Sequence, residues 1–244
     1  MAERAALITG GSSGIGLAVA RALAEDGYGV TVAARRPEKL EQAAAELRDA
    51  GLDVHHVAAN MTSEDDIRRM VESHRDRFGR MDVLMNNAGI GIAGQTDEYE
   101  TKKLDMQIAV NLRAVFLTTR ESLGMLKAAG RDGGALIVNT ASIAGKRPQG
   151  VLTVYSATKA GVIALTEAHA HELAGDGVRC TAICPGFVDT PMTDWIKGEV
   201  PPEEMIRPED VAEVVRCLLR VSPACIIPEV MMVRPQELAS GGVA

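Results

Sequence analysis

The chain has 244 residues, 46% of them hydrophobic and 24% charged, with a net charge of −7. That length and apolar content suit one large α/β unit with a buried core and exclude a disordered chain. The acidic balance, with only 3 Phe, 3 Tyr and 1 Trp, argues against a nucleic-acid surface, a base-stacking platform or an aromatic membrane belt.

From the N-terminus, MAERAALITGGSSGIG shows no charged leader with a long apolar core. No apolar run nears the ~18 residues of a membrane span, so a cytoplasmic chain without a membrane partner is expected. Short β-rich apolar runs then alternate with helical patterns. A strand is expected at 5–9, a helix at 14–26, a strand at 29–34, a helix at 38–50, a strand at 54–58 and a helix at 64–78. The second half continues with a strand at 82–86, a helix at 103–127, a strand at 135–140, a helix at 154–174, a strand at 178–184, a helix at 208–220 and a strand at 226–233. Strand–helix–strand alternation predicts a doubly wound α/β fold, a parallel sheet of seven strands with helices on both faces. No linker or repeat divides the chain, so residues 1–244 read as a single domain.

Segment 190–206, TPMTDWIKGEVPPEEMI, breaks the pattern with prolines, the sole Trp and two Met. Ligands of such sheets bind beyond the carboxyl ends of the strands, so this loop is either a lid over a substrate or an ordinary surface connection. Two candidate metal or thiol sites read as bland. His169 and His171 stand two apart on a helix and point to nearly opposite sides, which predicts solvated residues and no metal site. Cys180 and Cys184 share one strand face at ~13 Å, too far for a disulfide or a shared metal, and read as small buried hydrophobes.

The first strand runs into Gly10-Gly11-Ser12-Ser13-Gly14-Ile15-Gly16, and a helix follows at once. Glycines permit a tight turn and close approach of backbone to a phosphate, and the helix N-terminus offers free N–H groups. Alone the loop could be a structural turn. Opening the first strand–helix unit of an α/β chain favours phosphate binding.

TGGSSGIG resembles the Thr-Gly-x3-Gly-x-Gly fingerprint of the short-chain dehydrogenases/reductases. Further motifs follow in that family's order: Asn86-Asn87-Ala88-Gly89, the Asn111 of AVNL, the Ser142 of NTASIAG, Tyr155-x3-Lys159, and Pro185-Gly186-Phe187-Val188-Asp189-Thr190. The resemblance covers nearly the whole chain and implies a Rossmann-type, three-layer α/β/α fold. The body looks most like the 3-oxoacyl-[acyl-carrier-protein] reductase type. Its ending, IIPEVMMVRPQEL, lacks the Asp and Gly-Gly segment usual there and looks more like diverse ketone reductases and alcohol dehydrogenases. That weighs against an acyl-carrier substrate.

In NAD enzymes of this fold an acid at the end of strand two holds the ribose 2′-OH, whereas arginine accommodates the 2′-phosphate of NADP. Here Ala34 stands in the acid's place and Arg35 and Arg36 follow, which points to NADP(H) rather than NAD(H). The bland alternative is a solvated basic pair. The family's usual Asp after strand three is Asn60, whose amide could accept from the adenine amino group, and Met61 would lie against the adenine ring.

Tyr155 and Lys159 stand four apart on one helix face. An ammonium nearby stabilises phenolate, so Lys159 is expected to lower the Tyr155 pKa. The resemblance implies that Tyr155 exchanges a proton with the substrate oxygen and that Ser142 hydrogen-bonds that oxygen. Lys159 would also hold the nicotinamide ribose, and Asn111 would help hold a relay water. It implies further that Asn87, Ala88 and Gly89 line the adenine-ribose side. Pro185, Gly186 and Val188 would contact the carboxamide face, with Thr190 and Met192 near it and the pyrophosphate. Pocket walls are expected from 90–94, 143–148, Phe187 and 192–205, with Lys146 and Arg147 adding positive charge at the rim.

The substrate class that follows is a small-molecule carbonyl or secondary alcohol. Alternatives are a non-catalytic NADP(H)-binding redox sensor and an epimerase or dehydratase on the same fold. The apolar helices 103–127 and 154–174 pair across a two-fold axis in the family, which implies a homodimer or homotetramer.

Overall fold

The computed structural model describes residues 3–239. Seven strands form one parallel sheet in the order β3-β2-β1-β4-β5-β6-β7. They are β1 (Ala5–Thr9), β2 (Gly29–Ala34), β3 (Val54–Ala58), β4 (Val83–Asn86), β5 (Ala135–Thr140), β6 (Val178–Pro185) and β7 (Glu229–Met232). The helices are α1 (Gly14–Glu25), α2 (Pro37–Asp49), α3 (Glu64–Phe78), α4 (Thr101–Ile108), α5 (Ala114–Arg131), α6 (Thr153–Leu173), α7 (Pro208–Arg220) and a short α8 (Pro235–Ala239).

Successive strand residues face opposite sides, and here both sides are covered. Ala6, Ile8, Val30 and Val32 pack with Val19 and Leu23 of α1, Leu40 and Leu47 of α2, and Val211 and Val215 of α7. Leu7, Leu84 and Ile137 face the other way, against Ile67 and Met70 of α3 and Leu126 of α5. Val162 of α6 packs with Ala182 and Cys184 on that second side. The result is the expected three-layer α/β/α, Rossmann-like fold. Burial on both faces is why the strands read as continuous apolar runs.

The chain winds from β1 out to β3, then returns to lay β4 on the opposite flank of β1. Loops leaving β1 and β4 therefore diverge, and the crevice between them is where ligands of such sheets bind.

Local signals explain the element ends. Ser63 caps α3 by accepting from the Asp66 N–H at 3.2 Å, Glu64, Asp65 and Asp66 favour its positive end, and Gly79 closes it at φ +71°. The expected helix 103–127 is longer and interrupted: α4 and α5 are joined by a wide π turn, Ala109–Arg113. The last strand is shorter than 226–233, because Pro228 has no N–H to donate and only its carbonyl bonds back, to Ala182 N at 2.9 Å.

His169 is not solvated. It is buried and stacked on Phe116 of α5 with ring centroids 6.2 Å apart, because its side of α6 packs toward α5, while His171 is exposed as expected. Cys180 and Cys184 are buried free thiols pushed up to about 12 by burial, and Cys217 and Cys225 are exposed. Among the described residues no helix is long and apolar enough to cross a membrane.

One buried polar group ties α3 to the sheet. His74 Nε2 lies 2.9 Å from the Arg80 carbonyl, so it carries the proton, and Nδ1 accepts from the Thr31 hydroxyl at 2.8 Å. Burial pushes the His74 pKa down to about 4, from an ordinary 6.5. A base depressed in the folded chain makes stability drain as pH falls, since the unfolded chain takes up the proton first. The loss should run from about pH 6.5 to about 4 and amount to about 3 kcal/mol. Urea unfolding at pH 7 and pH 4.5 checks this: His74→Gln should be less stable at pH 7 yet lose less on acidification than the parent, and an equal acid loss in both would refute it.

Candidate active site

The crevice is built first by close packing. Gly10 and Gly14 adopt φ +70° and +52°, conformations that side chains disfavour. A Cβ on Gly16 would strike the Gly10 carbonyl and stand 2.6 Å from Asn87 Nδ2. The Asn87 amide fills that space: Nδ2 donates to the carbonyls of Thr9 (3.1 Å) and Gly10 (3.4 Å), and Oδ1 accepts from Thr140 Oγ1 (3.2 Å). Thr9 Oγ1 accepts from the N–H groups of Asn87 and Ala88, both at 3.0 Å. One side chain thus stitches the carboxyl ends of β1, β4 and β5.

The loop then opens α1 with Ser13 in extended backbone and no side-chain cap. The first-turn N–H groups of Gly14, Ile15 and Gly16 have no helical partner, and with the dipole they form a cradle for an anion. Ser12 and Ile15 are half-buried and Ser13 is exposed beside it. The Thr190 methyl stands 2.8 Å from where a Gly14 Cβ would be, which brings the 185–190 motif to the same cradle. At the end of β2, Arg35 and Arg36 are exposed and make no ion pair among the described residues. Asn60 is partly committed to its own turn, since Oδ1 accepts from Thr62 N at 3.2 Å. Met61 is buried in the core with Ala33, Ile67 and Met70, rather than lying open on a binding surface.

Four further predicted residues meet at the same end of the sheet. Lys159 Nζ donates to the Thr140 carbonyl at 2.6 Å and lies 5.7 Å from the Tyr155 ring centre. Ser142 follows β5, and its Oγ accepts from Ala144 N at 3.1 Å. α6 lies close to the Ser142 turn because Gly145 has no side chain: a Cβ there would be 2.7 Å from the Lys159 carbonyl carbon. Asn111, in the π turn, holds Ile90 from both sides, with Oδ1 accepting from its N–H and Nδ2 donating to its carbonyl, each at 2.8 Å. A Cβ on Gly89 would sit 3.4 Å from Asn111 Oδ1 and 3.5 Å from Lys159 Nζ.

Known proteins resemble the chain over most of its length. Residues 4–199 fit the family model for short chain dehydrogenase. The chain belongs to the short-chain dehydrogenases. It is 43% identical over 202 residues to granaticin polyketide synthase putative ketoacyl reductase 1 of Streptomyces violaceoruber, covering 80% of this chain and 72% of that protein. It is 37% identical over 251 residues to a putative ketoacyl reductase of Streptomyces coelicolor, covering 93% and 94%. Its structure matches that of a tryptophan-for-phenylalanine variant of actinorhodin polyketide ketoreductase with NADPH, at a TM-score of 0.88 and 34% identity over 96% of this chain and 98% of that one.

This short-chain dehydrogenase carries elements that its motifs did not announce. Gly186 packs against the carboxylate of Glu237, which pairs at 3.1 Å with a buried Arg234 whose guanidinium lies 5.2 Å above the centre of the Phe187 ring. Nothing in the run VRPQEL marks these two as site residues; only the fold brings the chain's end back to Pro185. Trp195 meets Phe187 edge-on at 6.2 Å and is 67% exposed, and Met192 is exposed too. Segment 190–206 is held as two short 3₁₀ turns, and a bridge between the buried Val188 and the half-buried Ile206 closes its base. The expected positive rim is reduced, because Lys146 pairs with Glu229 at 3.0 Å.

Burial dominates the electrostatics of the Tyr155 and Lys159 pair. Burial pushes the Tyr155 phenol above its ordinary value of 10, with a hydrogen bond from Ser142 pulling the other way. Burial also pushes Lys159 down to about 8, and its ammonium donates to the Thr140 carbonyl. A buried ammonium destabilises the fold below the unfolded pKa of about 10.5, and stability rises with pH between about 8 and 10.5. Lys159→Met should therefore abolish turnover yet unfold at higher temperature at pH 7, by up to about 3 kcal/mol. Thermal scans without nicotinamide should show that advantage shrinking from pH 8 to pH 10; a variant less stable at both would overturn this.

Proposed function

We propose that this chain is an NADP(H)-dependent carbonyl reductase or alcohol dehydrogenase, working reversibly on a carbonyl or secondary alcohol. The observation that carries it is the meeting of Asn111, Ser142, Tyr155 and Lys159 beside an uncapped glycine cradle. That cradle fits a dinucleotide: small residues where a Cβ would block it, open N–H groups for the pyrophosphate, and two unpaired guanidiniums where a 2′-phosphate would lie. Gly10, Ser12, Ser13, Gly14, Ile15 and Gly16 would hold the pyrophosphate, with Thr190 and Met192 near it and the carboxamide, and Arg35 and Arg36 would hold the 2′-phosphate. Asn60, Asn87, Ala88 and Gly89 would line the adenosine side, and Pro185, Gly186 and Val188 the nicotinamide, whose ribose Lys159 would bind. The actinorhodin ketoreductase holds NADPH, which supports this choice. When bound, the cofactor supplies or accepts the hydride.

The protein's part is the proton and the alignment. Tyr155 stays protonated at rest because its phenol is buried, so it serves as acid toward a carbonyl oxygen, with the Ser142 hydroxyl donating to the same oxygen. In oxidation the phenolate takes the alcohol proton. Lys159 stabilises that phenolate while charged, and Asn111 helps hold a relay water. A redox sensor has no need for a buried lysine that lowers its stability. The relatives act as ketoacyl reductases by name, which supports an oxoacyl-like substrate, while the altered chain end bears on what carries it.

The chain is then a single nicotinamide-binding domain whose lid is 190–206, with Trp195 and Met192 presented to substrate. A homodimer or homotetramer in the cytoplasm completes the reading, supported by exposed Met106, Ile108 and Phe116 on α4 and α5.

NADPH and NADH absorbance, followed against ketones, aldehydes and β-ketoesters, tests the activity. Tyr155→Phe should lose turnover by at least ~100-fold while NADPH fluorescence titration stays unchanged; retained turnover refutes the role. Arg35→Ala with Arg36→Ala should raise the KM for NADPH by at least ~10-fold and leave that for NADH nearly unchanged, and an unaltered ratio refutes the NADP(H) preference.

A further inference from the structure

Gln107, one residue from the end of α4, is a side chain that the proposed chemistry leaves unused. It is 0% exposed, in the run MQIAVN. An amide in an apolar interior is costly unless its polar atoms are bonded. All of them are, and all to one loop. Oε1 accepts from Ile92 N at 3.0 Å, and Nε2 donates to the Tyr99 hydroxyl at 2.6 Å and to the Ile92 carbonyl at 3.4 Å. The Tyr99 hydroxyl donates in turn to that carbonyl at 2.9 Å.

One turn on, Asn111 clamps Ile90 in the same two-way manner. Side chains four apart on a helix lie about 5–6 Å apart on one face. Residues two apart in extended chain lie about 6.6 Å apart and turn their N–H and C=O the same way. The two carboxamides therefore act as the neighbouring strand that the loop after β4 lacks. A single clamp at Ile90 would be a pivot; the second fixes the loop's direction.

What lies between the clamps is the reacting end of the site. A Cβ on Gly91 would stand 3.8 Å from two carbons of the Tyr155 ring. Farther along, Gly94 N donates to the Val151 carbonyl at 2.9 Å, just before α6, and a Cβ on Gly94 would be 2.8 Å from the Tyr99 ring. The loop is thus pinned at Ile90, Ile92 and Gly94 and crosses the phenol at Gly91.

We infer that Gln107, together with Tyr99, is a positioning residue that sets the 90–94 loop as the rigid wall of the substrate cleft beside Tyr155. This rests on the proposed oxidoreductase reading. An apolar residue at 107 would fill the space but leave the Ile92 N–H and carbonyl without those partners. The wall would then swing and the carbonyl would meet Tyr155 in many orientations. The glycine cradle lies on another loop, and Asn87 and Ala88 are held by Thr9, Gly10 and Thr140 independently of Gln107, so cofactor binding should be spared.

The test uses Gln107→Leu, Tyr99→Phe and the double variant, each saturated with NADPH. Gln107→Leu should lower kcat/KM for the best carbonyl substrate by ~10- to 100-fold, mostly through kcat. Its NADPH affinity should stay within about threefold, and amide hydrogen exchange should quicken at 90–94 but not in β1 or β4. Tyr99→Phe should act in the same direction and more weakly. The double variant should match Gln107→Leu to within about twofold, because both act through Ile92. A kcat/KM within about threefold of the parent, or a fall matched by an equal loss of NADPH affinity, overturns the inference. If Gln107→Leu does not fold, Tyr99→Phe decides, and unchanged kcat/KM with unchanged exchange at 90–94 overturns it. If the parent turns over no substrate, the oxidoreductase reading fails by itself. Exchange at Ile92 in the two variants then still judges the clamp, and no change there overturns it.

Discussion

Gly16 has no room for a side chain, because the Gly10 carbonyl and the Asn87 amide occupy the place where its Cβ would be. The rest of the site depends on that contact. It lets α1 start hard against the end of β1, so its first N–H groups face the crevice with nothing capping them. It also brings Asn87 within reach of Thr9, Gly10 and Thr140, which locks three adjacent strand ends in register. Parallel strands direct all their carboxyl ends one way, and the reversal of winding beside β1 leaves those ends uncovered. The cradle and the proton-handling groups therefore share one edge of the sheet.

At that edge the protein spends stability on chemistry. Lys159 is 4% exposed, pairs with no carboxylate among the described residues, and is held by the Thr140 carbonyl. Tyr155, one turn away, is desolvated in the opposite sense, so burial favours the neutral form of both groups. A phenolate and an ammonium side by side would offset part of each other's burial cost, so the two charged forms favour each other as a pair. Rigid surroundings keep it from relaxing: Gly145 brings α6 close to the Ser142 turn, Asn111 and Gln107 fasten the opposing loop, and Glu237 with Arg234 backs Gly186 and Phe187.

Much of this was legible before any coordinates. The strand runs were readable because both sheet faces are buried, and the helix ends because Ser63 and Gly79 are strong local signals. Tyr155 and Lys159 could be paired because four residues make one helical turn. The π turn at Ala109–Arg113 was not legible, since it reflects Asn111 bonding to a loop twenty-one residues earlier and not a local preference. Gln107 carries no local signal either, because its partners Ile92 and Tyr99 are brought to it by the fold. His169 is covered by Phe116 rather than by solvent, because helical spacing says which residues share a face and not which neighbour covers it.

By itself the sequence determined the α/β class, the strand count, the family, and the identities of Gly10, Gly14, Gly16, Asn111, Ser142, Tyr155 and Lys159 as site residues to examine. These rest on short-range rules, on periodicity, turn chemistry and motif order, which act within a few residues along the chain. Tertiary structure alone decided the burial that sets the Tyr155 and Lys159 ionisation, the neutralisation of Lys146 by Glu229, the inward packing of Met61, and the joining of Gly186 to Glu237. Desolvation and ion pairing depend on what lies within a few ångströms in space, and in this fold those neighbours come from strands and loops far apart in the chain.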